Sequence, residues 1–228
     1  MPYIILIILL LTLLFGPQLW VHHVLRKYNT PQAHIPGSGG ELAQHLIERF
    51  QLDGIEVEQT NKGGDHYDPI DKKVRLSPEN FTGHSLTAIA IAAHEVGHAI
   101  QHHRNEPLLA LRTRLSKLAV TAQKLSGGLL IIIPIVMAIT RAPSAGMAIF
   151  AMGLGGMLMG TLIQLITLPV EMDASFNKAL PILKAGNYIN HKDEKPVTII
   201  LRAAAFTYVA ASLSSLLNIW RWMLILKK

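Results

Sequence analysis

Apolar residues, mostly Ile and Leu, run from 1 to 21 without a charged side chain, and His22, His23, Arg26 and Lys27 follow. A run of that length predicts a membrane-spanning helix. The basic residues come after it rather than before, and no small-residue cleavage site is present, so a retained span is expected instead of a removed leader. From Tyr28 to Gly40 the pattern breaks into Asn, Thr, Pro, Gly and Ser, as in a linker. Ser38 and Glu41 have capping-box spacing, and Leu42, Leu46, Ile47 and Phe50 recur at helical intervals. Gly54 punctuates the end of that helix. Ile55 to Thr60 alternate apolar with polar residues as a strand does, 61–64 suits a turn, and Lys73 to Leu76 is a second strand candidate. Between them, Asp65-His66-Tyr67-Asp68-Pro69 reads first as turn chemistry.

Leu86, Ile89, Ala93, Val96, Gly97 and Ile100 share one arc of a helical wheel and predict a helix over about 83–103, buried on that arc. Leu108, Leu111, Leu115 and Leu118 keep helical spacing through a charged stretch. Two apolar segments follow, 125–140 and 145–168, joined by Arg141-Ala142-Pro143-Ser144; together they predict a membrane hairpin. Pro134 and the glycines from Gly153 to Gly160 do not oppose this, because membrane helices tolerate both. Pro169 sits where helices often start. A polar connection over 176–198 leads to a last apolar stretch, 198–226, interrupted by Arg202 and Arg221, with Trp220 and Trp222 suited to an interface. The expected organisation is a span at 1–21, a soluble domain at 22–124, the hairpin at 125–168, a helix and polar connection at 169–197, and a span at 198–226. The fold class is a mainly α membrane protein with about four transmembrane helices and a small α+β domain.

Composition agrees: 50% of the 228 residues are hydrophobic, 6% are aromatic, and the mean hydropathy is +0.33. The net charge of +6 would suit nucleic acid, yet no basic cluster is interleaved with stacking aromatics. The cations sit near span ends instead. Arg26, Lys27, Arg112, Arg114, Lys117, Lys124 and the basic residues from Lys178 to Arg202 fall on one side, against Arg141, Arg221, Lys227 and Lys228 on the other. That excess places the soluble domain in the cytoplasm. With no cysteine, disulfides and thiolate metal ligands are excluded.

The chemistry concentrates in His94-Glu95-Val96-Gly97-His98, an H-E-x-x-H pattern on the predicted helix. Positions four apart lie on one face with Cβ atoms roughly 5–6 Å apart, so both imidazoles can reach one ion. Zinc suits them, and Glu95, about 100° around the helix, is placed to act as base for a water without being a ligand. A third ligand is required. An extended motif with a third histidine fails because Gln101 and Arg104 occupy its positions; His102 and His103 lie too far along the axis, and His84 precedes the helix. Glu171, in Pro169-Val170-Glu171-Met172-Asp173, is the choice, and two spans between it and His98 return the chain to the same membrane face. The competing reading of Glu171 and Asp173 is a carboxylate pair at a helix N-terminus. Asp173, about 200° from Glu171, suits a supporting role rather than ligation. Tyr67 or His66 is a candidate oxyanion donor, and Lys73 to Leu76, as an edge strand, would take an extended substrate by strand addition. A zinc endopeptidase acting on membrane or membrane-proximal proteins is therefore expected, with no nucleic acid partner. A non-catalytic zinc-stabilised membrane scaffold is the rival.

Taken together, 65–69, Val74-Arg75-Leu76-Ser77, Ala92 to Gln101 and Leu168 to Ser175 resemble the bacterial membrane-bound neutral zinc metallopeptidases often called YugP-like. The resemblance covers nearly the whole chain and implies a zincin-like catalytic domain in a bacterial plasma membrane, with His94, His98 and Glu171 as zinc ligands and Glu95 as base. HtpX-type membrane proteases are more loosely similar. Their later glutamate belongs to an E-x-x-x-D pattern, whereas here Ser175 stands four residues after Glu171 and the aspartate is Asp173.

Overall fold

A computed structural model of the chain describes residues 2–60 and 64–215. The expected turn at 61–64 falls mostly outside these residues, as do Trp220, Trp222 and the end of the last span. The elements run α1 (Pro2–Lys27), α2 (Gly39–Arg49), β1 (Glu56–Gln59), β2 (His66–Asp68), β3 (Lys73–Leu76), α3 (Pro78–Phe81), α4 (Leu86–His103), α5 (Pro107–Thr140) and α6 (Pro143–Met172). A π-helical segment (Asp173–Ala179), α7 (Leu180–Ala185) and α8 (Glu194–Ser215) complete them. The protein is a mainly α membrane protein with a small α+β region. Among the described residues, Tyr3–Lys27, Ser144–Ala185 and Glu194–Ser214 are long and apolar enough to cross a membrane. The stretch 125–140 forms the last part of α5.

The chain divides into two compact units. One comprises Met1–Gln18, Leu111–Leu168 and Tyr208–Lys228. Its described helices expose long apolar side chains such as Ile5, Leu9, Ile135, Ile139, Leu162 and Ile166, which suits contact with lipid. Within it α5 and α6 approach closely: a Cβ on Gly156 would stand 2.0 Å from Ser126 Oγ. The Ser214 hydroxyl donates to the Leu14 carbonyl at 3.4 Å.

The other unit comprises Leu19–Ala110 and Pro169–Thr207. The capping box at the start of α2 forms as its spacing predicts, with Ser38 Oγ accepting from Glu41 N–H at 3.2 Å and Glu41 Oε2 accepting from Ser38 N–H at 2.7 Å. The sheet has the order β1-β3-β2, β1 parallel and β2 antiparallel to β3. Two expectations change here. Residues 66–68 are a strand rather than only a turn, because His66, Tyr67 and Asp68 pair with Arg75, Val74 and Lys73. Lys73–Leu76 is the central strand, so both its edges are occupied and it cannot accept a substrate by strand addition. Val74, Leu76 and Tyr67 are buried, while Glu58, Lys73, Arg75 and Asp68 alternate to the other face and pair in ions there.

α4 is the core of this unit. Ser85 caps it, its hydroxyl accepting from Ala88 N–H at 3.1 Å, and every residue from Leu86 to Gln101 is buried. The expected apolar arc is therefore covered, and so is the histidine face. What covers that face is the helix carrying Glu171. Pro169 does not start a helix but lies inside α6, and helical structure continues through the π segment into α7 up to Ala185. Glu171 is thus not in a first turn, which removes the N-terminal carboxylate reading, and the non-helical connection shrinks to 186–193.

Candidate metal centre

His94 and His98 follow from the 3.6-residue repeat, which stacks their rings on one side of α4 with centroids 4.8 Å apart at 77°. Glu171 meets them from α6. Its Oε2 is 3.4 Å from His94 Nε2 and 3.0 Å from His98 Nε2. One ligand atom from each of the three residues lies within 4.8 Å of the others, and the residues are 3%, 1% and 2% exposed. Tetrahedral ligands at about 2.0–2.1 Å from a zinc ion stand roughly 3.3 Å from one another, so the spacing and the nitrogen and oxygen donors fit that ion. Two histidines and a glutamate also leave one position of a tetrahedron for water.

The close approach of the two elements depends on small residues. A Cβ on Gly97 would sit 2.7 Å from the Ala174 carbonyl oxygen, so the turn between the two histidines admits only hydrogen there. Beyond Met172 the backbone widens into the π segment, where Leu180 N–H bonds to the Ser175 carbonyl. π turns of this kind often occur where a helix carries a site. Ser175 lies in this segment, and its hydroxyl is 2.9 Å from His94 Nδ1 and 3.0 Å from the Leu201 carbonyl. On the other side Gln101 Oε1 is 2.9 Å from His98 Nδ1, while Gln101 Nε2 donates to the Val170 carbonyl at 3.1 Å and to Asp173 Oδ2 at 2.7 Å. Asp173 also pairs with Lys178, whose ammonium reaches Glu106 Oε1 at 3.0 Å. Asp173 is therefore connected to His98 through Gln101.

Glu95 is 6% exposed, on the same helix between the two histidines. Tyr67 and His66 part company. Tyr67 is buried under the sheet, and its hydroxyl is 2.6 Å from Nδ1 of His102, one turn beyond His98. Burial first, then the charge of Asp68, pushes the Tyr67 hydroxyl up to about 12, so it stays protonated in that bond. His66, the neighbour in β2, points to the opposite face of the sheet, where its Nδ1 bonds the Gly64 carbonyl at 2.8 Å. The contacts of Ser175 and Gln101 with the two histidines are not among the sequence-based expectations. The spacing signals Gln101, three residues after His98 on the same helix face, whereas Ser175 reaches His94 from a segment eighty-one residues away.

Residues 3–227 match the family described as "Putative neutral zinc metallopeptidase". The chain belongs to this family. A curated relative, "Putative membrane protease YugP" of Bacillus subtilis (strain 168), is 35% identical over 241 residues, covering 99% of this chain and 96% of the relative. No solved structure matches the chain. Membership in this metallopeptidase family accords with a buried His-His-Glu group capable of holding a metal.

Proposed function

We propose that the protein is a zinc-dependent membrane endopeptidase, with His94, His98 and Glu171 holding the ion and Glu95 as general base. The observation that carries this reading is the convergence of three buried residues able to hold an ion, His94 and His98 on α4 and Glu171 on α6, with the buried Glu95 on the helix of the two histidines. When bound, zinc polarises a carbonyl and lowers the pKa of a water to about 7. Glu95 takes the proton of the attacking water as its oxygen bonds to the scissile carbonyl carbon. The same carboxyl passes that proton to the amine nitrogen as the C–N bond breaks. The catalytic part lies in the unit formed by Leu19–Ala110 and Pro169–Thr207. Glu171 stands just past the apolar run 145–168, which favours substrates that are membrane proteins or their exposed tails. The excess of basic residues on the motif side supports a cytoplasmic position for this part, and the family resemblance supports a bacterial plasma membrane.

The test compares cleavage of a denatured protein and of a membrane-protein substrate by the parent and by Glu95→Gln, with zinc content measured in both. Loss of a general base lowers turnover by about 10²–10⁴-fold while zinc stays bound. Equal cleavage by the two proteins would eliminate this mechanism. Absence of cleavage by the zinc-loaded parent would favour a metal-stabilised scaffold, in which nothing requires a base at position 95.

A further inference from the structure

The two histidines of the centre are held from behind by groups that carry no charge. Ser175 has a single hydroxyl hydrogen, and the Leu201 carbonyl at 3.0 Å can only accept it. The Ser175 lone pairs are then left for His94 Nδ1 at 2.9 Å, so that nitrogen carries the ring hydrogen. Gln101 reaches the same result by another route. Its amide nitrogen faces the Val170 carbonyl and an Asp173 carboxylate oxygen, both acceptors, which fixes which end of the amide is which. Oε1 therefore faces His98 Nδ1 and accepts from it. Both rings are left with the Nε2 lone pair turned toward Glu171 Oε2.

We propose that Ser175 and Gln101 are positioning residues of the metal centre, each fixing one histidine in its Nδ1–H tautomer through a neutral acceptor. The anion Asp173 is kept one bond further out, behind Gln101, where Lys178 balances it. This rests on the reading of His94, His98 and Glu171 as zinc ligands. A carboxylate directly behind either ring would orient it equally well. It would also add negative charge to a buried site that already holds Glu171 and Glu95. Neutral acceptors orient the rings without that addition. Ser175 also ties α8 to the centre through the Leu201 carbonyl.

The experiment measures zinc affinity of the full-length protein in detergent, by competition with a chelator, for Ser175→Ala, Gln101→Met and Gln101→Glu. The visible spectrum of the cobalt(II)-substituted proteins is recorded alongside. Ser175→Ala and Gln101→Met should each weaken zinc by about 10–100-fold and shift the cobalt bands. Gln101→Glu keeps an acceptor for His98 and should bind zinc far more tightly than Gln101→Met. A merely structural role would lower the unfolding temperature of the metal-free protein and leave both readouts of the folded protein unchanged. Affinities within about twofold of the parent for Ser175→Ala and Gln101→Met, or equal loss in both Gln101 variants, would overturn the proposal. Cleavage by the parent separates the two readings. A parent that cleaves substrate while the variants keep full affinity leaves the peptidase standing without these positioning roles. A parent that binds zinc but cleaves nothing, with weakened variants, leaves the positioning roles and removes the peptidase.

Discussion

An alanine at position 97 would place its methyl carbon 2.7 Å from the Ala174 carbonyl oxygen and 3.3 Å from the Ala174 Cα and carbonyl carbon. All of these are backbone atoms, so no side-chain rotation relieves the overlap. Carbon and oxygen normally approach no closer than about 3.3 Å, so the two elements must separate by roughly 0.6 Å. Gly97 stands between the two histidines and Ala174 three residues after Glu171, which turns that separation into a stretch of the 3.0 Å His98–Glu171 approach. Overpacking of this kind costs about 1–3 kcal/mol, whereas replacing a helix-interior glycine recovers about 1 kcal/mol. Global stability should therefore fall by only about 0–2 kcal/mol. Zinc binding lacks the compensating gain and should weaken by roughly 5–150-fold, since about 1.4 kcal/mol is a factor of ten. Chelator competition on the full-length protein measures the second quantity and thermal unfolding the first. Gly155→Ala is the control, because a Cβ there meets no heavy atom within 4 Å. Unchanged zinc affinity in Gly97→Ala would refute the claim that this close approach sets the spacing of the three ligand atoms.

Chelation of the metal should lower the unfolding temperature and added zinc should restore it, since ligand at a hundred times its Kd contributes about 2.7 kcal/mol to the folded state; no shift in either direction would count against a metal held by the folded protein. Tyr67→Phe removes the 2.6 Å bond to His102 and should cost about 0.5–1.5 kcal/mol in denaturant unfolding. Burial first, then the charges of Lys72 and His103, lowers the His102 pKa below the ordinary 6.5, so the unfolded chain takes up that proton before the folded protein does. Its contribution is fully present above about pH 6.5 and is lost as pH falls through the folded value, so His102→Gln should flatten the fall in unfolding temperature on acidification; identical slopes would contradict this.

The sequence by itself determined what depends on near neighbours. The capping box at Ser38 and Glu41, the central strand segment Lys73–Leu76 and the stacking of His94 on His98 are set by spacings of a few residues, which the helix and strand repeats convert directly into geometry. Glu171 follows from the sequence only by elimination, by the two spans that return it to the face of His98 and by resemblance, because seventy-three residues separate it from His98 and no helix repeat links them. Tertiary structure alone decided the rest. Residues 65–69 look like a turn until Tyr67 pairs with Val74, and whether Lys73–Leu76 is an edge or a central strand is open until β1 and β2 flank it, since strand pairing joins residues that spacing does not connect. Pro169 reads as a helix start, yet the helix continues through it and carries Glu171 against α4. Ser175 and Gln101 acquire their places behind the histidines only once Gly97 lets Ala174 close on it, a distance fixed by packing between segments more than seventy residues apart.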